Sequence, residues 1–288
     1  MREQRATINR ECRLCGSRAD HKVYYVKEMY FGTRQEFEYF ECERCQCLQI
    51  AEIPEDLGKF YGKEYYSFQR PDILAPSTCG RIETRILDVG CGAGGWLMEQ
   101  QAKGYVHLFG CDLFIDADID YEPCIHIKKC TIHEMEGSFD FIRLKDSFEH
   151  MGDPYETLIS IRRLLSQGGV CLVSMPVFPN AAYDAFKEDW YEWDAPRHLF
   201  IHSEKSMEYL CRKAGLKIKN VEYNSGDMQF ITSLLYREGI PYVEQDDDVI
   251  KKYFNPGELD RILELTKELN RNGYGDHAVF TIERACPE

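Results

Sequence analysis

The chain has no stretch approaching the roughly 20 consecutive apolar residues that cross a bilayer, so membrane insertion is not expected. It also has no dense run of Lys or Arg, and its 35 basic against 49 acidic residues leave a formal net charge of −14. Binding to phosphate backbones depends on Lys and Arg. Nucleic acid is therefore not an expected partner, and the surface suits small molecules or neutral polymers. There is no internal repeat and no low-complexity tract. The opening Met1-Arg2-Glu3-Gln4-Arg5 is charged, and no apolar signal core follows it, so a cytoplasmic location is expected. In a reducing compartment the 13 cysteines read as thiols or metal ligands, not as a disulfide framework.

What is present is ordinary for a globular protein: 288 residues, 44% hydrophobic and 29% charged, enough for a core domain plus an accessory module. Residues 1–68 are rich in Cys, Tyr and charge. Residues 69–80 carry two prolines and a glycine and read as a linker. Residues 81–288 alternate β-like and helical patterns, which predicts an α/β domain with a parallel sheet. Strands are expected at Arg85–Val89, His107–Cys111, Ile125–Ile127, Phe139–Leu144, Val170–Val173, Leu216–Val221 and Ala278–Ile282. Helices are expected at Gly94–Lys103, Pro154–Leu165, Ser203–Ala214 and Glu258–Asn270, the last inside an insertion at about 224–275. Leu259, Ile262, Leu263 and Leu265 are expected to share its apolar face.

The turn Asp88-Val89-Gly90-Cys91-Gly92-Ala93-Gly94 joins a strand to a helix. Glycine allows positive φ and close approach of the backbone to a ligand, so a nucleotide cofactor is expected at this strand end. Asp112 ends the next strand and is the expected partner of two ribose hydroxyls. Gly90-x-Gly92-x-x-Gly95 also fits the dinucleotide fingerprint, so an NAD-binding oxidoreductase is the competing reading. Asp88 just precedes the turn and is expected to hold either the turn itself or an amino group of the ligand; it favours a sulfonium amino acid, whose ammonium group welcomes a carboxylate while a pyrophosphate does not.

Cys12-x-x-Cys15 and Cys42-x-x-Cys45 are two pairs with the spacing of a tetrahedral, structural zinc site. The aromatic residues Phe60, Tyr61, Tyr65, Tyr66 and Phe68 either cap the cofactor or glue this module to the core. His150 and His198 are candidate general bases. His202 is expected at the surface or in a cap. Trp190, Tyr191 and Trp193 suit either stacking on a sugar or core packing. Asp116, Asp118 and Asp120 read as solvated charge.

Ile86 to Gly94 resembles motif I of class I methyltransferases. Glu149-His150-Met151-Gly152-Asp153-Pro154 and Leu164-Leu165-Ser166-Gln167-Gly168-Gly169 resemble two later motifs of that family, with Gln167 where proline is usual. Ala195-Pro196-Arg197-His198-Leu199 with Ser203, and the segment around Cys42 and Cys45, resemble a zinc-ribbon subgroup associated with bacterial sugar and surface-polysaccharide biosynthesis. The resemblance implies a Rossmann-like, seven-stranded methyltransferase sheet whose last strand is antiparallel. It implies S-adenosyl-L-methionine bound by Asp88, Gly90, Gly92, Gly94, Asp112 and Asp146. It implies methyl transfer to a hydroxyl of a sugar nucleotide or surface-glycan intermediate. Asp146-x-x-Glu149-His150 resembles the E-x-x-E-H of ubiquinone-biosynthesis O-methyltransferases, which implies a second, divalent metal at Asp146, Glu149 and His150. A non-catalytic zinc-ribbon interaction protein with a degenerate methyltransferase fold is the other alternative.

Overall fold

The computed structural model describes residues 7–61 and 80–285. Tyr65, Tyr66, Phe68 and all of the expected linker except Gly80 lie outside that range. Near the N-terminus, β1 (Thr7–Glu11), β2 (Arg18–Lys27), β3 (Glu36–Glu41) and β4 (Leu48–Ile50) form an antiparallel meander. The larger unit is a sheet of eight strands: β5 (Ile82–Val89), β6 (Tyr105–Cys111), β7 (Ile119–Tyr121), β8 (Ile125–Lys128), β9 (Phe139–Lys145), β10 (Leu165–Pro176), β12 (Leu216–Tyr223) and β13 (His277–Arg284). Their spatial order is β12-β13-β10-β9-β5-β6-β8-β7. Strands β8, β6, β5, β9 and β10 run parallel, and β13 enters antiparallel between β10 and β12. This is the α/β methyltransferase sheet. The remaining strand, β11 (Phe200–Ile201), leaves the core and pairs with β4, so the N-terminal sheet is completed by a strand that follows β10 in sequence.

The central strands bury their apolar residues, as parallel strands under helices require, while Asp140 and Lys145 on β9 are exposed. Ile86, Leu87 and Val89 on β5 and Ile142 and Leu144 on β9 are all buried. The helices carry their boundaries in local chemistry. Helix α1 (Gly95–Ala102) starts after Gly94 at φ 84°. In α2 (Pro154–Leu164), Asp153 caps the first turn and Pro154 occupies it. Helix α3 (Ala181–Phe186) is capped by Asn180. Helix α4 (Glu204–Lys213) has a reciprocal Ser203–Ser206 capping box and ends before Gly215 at φ 72°. The insertion contains α5 (Met228–Arg237), α6 (Asp247–Tyr253) and α7 (Pro256–Arg271). It has its own small core, where Leu259 and Ile262 pack against Ile231, Leu235 and Phe254.

Several local expectations differ from what folds. Leu263 and Leu265 are 41% and 44% exposed, because α7 turns only one narrow stripe inward. The acidic segment around Asp120 adds an eighth strand, β7, hydrogen-bonded to β8, and Asp120 itself bonds His126 at 2.7 Å. Trp190 and Trp193 are core residues, each 1% exposed, with their indole N–H groups donating to Asp276 Oδ2 and the Lys187 carbonyl. A sugar cannot reach them.

His202 is likewise fully buried, between Phe148 and Phe200. Burial alone lowers its imidazole from 6.5 to about 3. Between those values the unfolded chain binds a proton that the folded chain refuses, so stability falls as pH drops through this window. One such group contributes about 1.4 kcal/mol per pH unit. His202→Gln is therefore expected to flatten the dependence of the urea midpoint between pH 7 and pH 5 by about that slope. An unchanged slope assigns the proton elsewhere.

Candidate active site

The glycine turn stands at the carboxyl end of β5. Gly90 has φ 74°, and a Cβ there would lie 2.8 Å from the Ser147 Cβ, so neither the backbone nor the space admits a side chain. Asp112, at the end of β6, binds the turn directly: its Oδ2 accepts the Gly92 N–H at 2.9 Å and its Oδ1 the Phe114 N–H at 2.8 Å. Each carboxylate oxygen keeps a second lone pair for a ligand hydroxyl. In front of the turn lies a cavity of about 300 Å³, lined by Gly90, Asp112, Asp146 and His150 among others, with Leu113, Phe114 and Tyr61 on one wall. Tyr61 stacks on Phe114 with ring centroids 5.4 Å apart, so one residue of the proposed aromatic cap does face this cavity.

Asp88, Gly92 and Gly94 do not line the cavity. Asp88 is buried and bonded at 2.9 Å to the guanidinium of Arg143 on β9, which lies 4.3 Å above the Trp96 ring. Burial raises the Asp88 carboxyl to about 6 against the opposing pull of Arg143. Its partner in this structure is thus a protein cation, which accords with the alternative that Asp88 supports the turn and not a ligand ammonium. Asp88 braces the turn from behind.

A second cavity of about 230 Å³ adjoins the first, with Asp146 and His150 lining both. Its wall is assembled from distant segments: Tyr30 after β2, Glu149 after β9, Tyr191, Glu192, Asp194 and His198 after β10, Tyr236 and Tyr242 from the insertion, and His277 on β13. Asp146 has φ 49°, and its Oδ1 bonds His277 Nε2 at 2.8 Å. Burial would raise the Asp146 carboxyl, but the bond to His277 and its charge outweigh that and hold it low. Both candidate bases are present here. The Nδ1 of His150 lies 2.8 Å from the Arg197 carbonyl, and that of His198 lies 2.7 Å from the Glu192 carbonyl. A carbonyl only accepts, so each Nδ1 carries the proton and each Nε2 is bare. Burial lowers both, His150 to about 4, so both rings are neutral near pH 7. His277, Glu192, Asp194, Tyr30 and Tyr242 had no local signature in the sequence. They meet only because four parts of the chain converge.

Arg197 organises that convergence. It is 0% exposed. Its Nε and terminal nitrogen bond both oxygens of Asp194 at 2.8 and 2.5 Å, and it reaches Glu28 at 3.1 Å and the Phe60 carbonyl at 3.1 Å. Its cation lies over the Tyr30 ring at 4.8 Å. Glu28 is itself fully buried, and its oxygens also accept the Phe31 and Thr33 N–H groups.

In the N-terminal sheet, Cys12, Cys15, Cys42 and Cys45 bring four sulfurs within 4.8 Å of one another. Cys12 and Cys45 are 3.7 Å apart, and Cys15 and Cys42 3.6 Å. A zinc tetrathiolate with bonds of about 2.3 Å has sulfur–sulfur edges of about 3.8 Å. Each pair forms the same turn, with Gly16 N–H donating to the Cys12 carbonyl and Gln46 N–H to that of Cys42. Gly16 and Gln46 occupy the left-handed position, at φ 67° and 57°. Gln49 Nε2 donates to the Cys12 sulfur at 3.2 Å.

A family model described as "Methyltransferase domain" matches residues 54–221, and the chain belongs to this methyltransferase-domain family. Curated relatives include phosphoethanolamine N-methyltransferase 2 of Caenorhabditis elegans, 23% identical over 62% of this chain and 42% of that protein. A ubiquinone biosynthesis O-methyltransferase of Alkalilimnicola ehrlichii is 30% identical over 36% of this chain and 47% of that protein. The match thus spans about half the length of these relatives. Among solved structures, the complex of the Haloferax volcanii Trm112 methyltransferase activator with a putative methyltransferase aligns with a TM-score of 0.49 at 15% identity, covering 80% of this chain and 95% of that one. Among the described residues, no helix is long and apolar enough to cross a membrane.

Removing the buried cation leaves Glu28 and Asp194 uncompensated. Arg197→Ala is expected to cost about 3–5 kcal/mol in chemical denaturation. A loss below about 1 kcal/mol would place the junction's stability in its aromatic packing instead.

Proposed function

We propose that the protein transfers a methyl group from S-adenosyl-L-methionine to a hydroxyl of a small-molecule acceptor. The observation that carries this reading is the pair of adjoining cavities in a methyltransferase-family chain, one against Gly90 and Asp112 and the other against His150 and His198. The sulfonium methyl is already activated, so the residues mainly align the acceptor and exclude water. Gly90 admits the cofactor backbone, Asp112 accepts the ribose hydroxyls, and Asp146 stands where the two cavities meet. The neutral imidazoles of His150 and His198 offer bare Nε2 atoms to the hydroxyl proton. The acceptor class rests on the subgroup resemblance, which favours a sugar nucleotide or surface-glycan intermediate. The buried tryptophans lend that choice no support.

The four cysteines fit a structural Zn²⁺, closed by its own ligands and therefore without an open coordination position for catalysis. Purified protein is expected to hold one zinc per chain in this site, and Cys42→Ser to lose it. Retention of zinc by that variant would locate the ion elsewhere.

Calorimetry separates the cofactor readings. S-adenosylhomocysteine is expected to bind the wild type at one site and to bind Asp112→Ala at least tenfold more weakly, the loss of about 1.4 kcal/mol that one hydrogen-bonded carboxylate supplies. Binding of NADH with no binding of S-adenosylhomocysteine would establish the oxidoreductase alternative.

A further inference from the structure

The Glu149 carboxylate is the least satisfied group at the junction of the cavities. Its side chain is 1% exposed, and neither oxygen has a hydrogen-bond partner. Such burial without a partner is costly unless the charge is neutralised by a proton or a cation. Two imidazole nitrogens lie near it: His198 Nε2 at 3.8 Å and His150 Nε2 at 4.0 Å from Oε1. Both nitrogens carry lone pairs, because the opposite nitrogen of each ring donates to a main-chain carbonyl. Main-chain carbonyls that accept from the far ring nitrogen hold metal-bound histidines in the same way. The three ligand atoms lie within 4.8 Å of one another.

We propose that Glu149, His150 and His198 bind one divalent first-row transition-metal ion at this junction, with its remaining positions open to the acceptor. Metal–ligand bonds of about 2.1 Å put ligand atoms roughly 3.0–3.4 Å apart, so side-chain shifts of under about 1 Å close the site. Two imidazoles and one carboxylate suit Mn²⁺, Fe²⁺, Co²⁺ or Zn²⁺ better than Mg²⁺ or Ca²⁺, which favour oxygen. Asp146, expected from the motif resemblance as a ligand, is instead held by His277. His198, 48 positions after His150 in the chain, takes its place. An acceptor hydroxyl on the ion is acidified. With the ion bound, the imidazoles are its ligands, and the acidified hydroxyl gives its proton to solvent in place of direct transfer to an Nε2 atom.

The site's existence does not depend on methyl transfer, although its role rests on that reading. The test uses full-length protein already loaded with zinc and titrated with MnCl₂, bound ion being read by electron paramagnetic resonance. One saturable Mn²⁺ per chain is expected, weakened more than about tenfold in Glu149→Gln and in His198→Ala. Pulsed resonance on the wild type is expected to show coupling to two imidazole nitrogens, a readout independent of how either variant folds. No saturable Mn²⁺, no imidazole coupling, or equal binding in both folded variants overturns the proposal. S-adenosylhomocysteine binding is measured on the same samples. Neither Glu149 nor His198 lines the cofactor cavity, so both variants are expected to keep it; a wild type that binds it but takes up no saturable Mn²⁺ refutes the metal alone, and its absence from the wild type refutes the methyltransferase reading alone.

Discussion

A guanidinium with no access to water holds this molecule's working parts in place. Arg197 is bonded to Asp194 three positions before it and to Glu28 in the N-terminal meander, 169 positions away. Removing an ion from water costs several kcal/mol, and only close, multiply bonded partners offset it. The arrangement is therefore tolerated in one geometry. That geometry sets the backbone of the segment after β10, whose carbonyls at Glu192 and Arg197 orient His198 and His150. It also sets Tyr30, which both covers the guanidinium and lines the second cavity.

The N-terminal module is thereby part of the candidate active site and not an appendage to it. β4 takes β11 as its neighbour, Tyr39 donates its hydroxyl to the His198 carbonyl at 2.8 Å, and Ser203 donates to the Cys45 carbonyl at 2.7 Å. The last contact links the helix α4 cap to a cysteine of the proposed zinc site. A metal that fixes the two cysteine turns would thus fix, through a few hydrogen bonds, the loop carrying His198.

Carboxylates line both cavities. The cofactor side has Asp112, braced by main-chain N–H groups, together with Asp153 and the shared Asp146, while Asp88 is bonded to Arg143 behind the turn. The acceptor side collects Asp146, Glu149, Glu192 and Asp194. Arg197 pairs with Asp194, and Asp146 is hydrogen-bonded to His277. Burial and Asp146's charge drive the Glu149 carboxyl well above its ordinary range, and burial with Asp276 does the same to Glu192.

Local chemistry made the scaffold readable in advance. Strands β5, β6, β9 and β13 carry clusters of apolar residues. The caps Asp153, Ser203 and the glycine turn announce helices by their own hydrogen bonds. The two cysteine pairs carry the spacing of a knuckle within a few residues. These features depend on neighbours in the chain, so periodicity and residue type suffice. The roles of Asp88, Trp190, Trp193 and His202 were not readable in the same way. An acid beside a glycine turn serves a ligand or an arginine according to what a strand 55 positions later presents. Two tryptophans and a histidine stack on a sugar, cap a helix or fill a core according to what packs over them. The acceptor cavity is the extreme case. Its tyrosines, carboxylates and histidines come from separate elements, and only long-range packing around a desolvated arginine brings them within bonding distance.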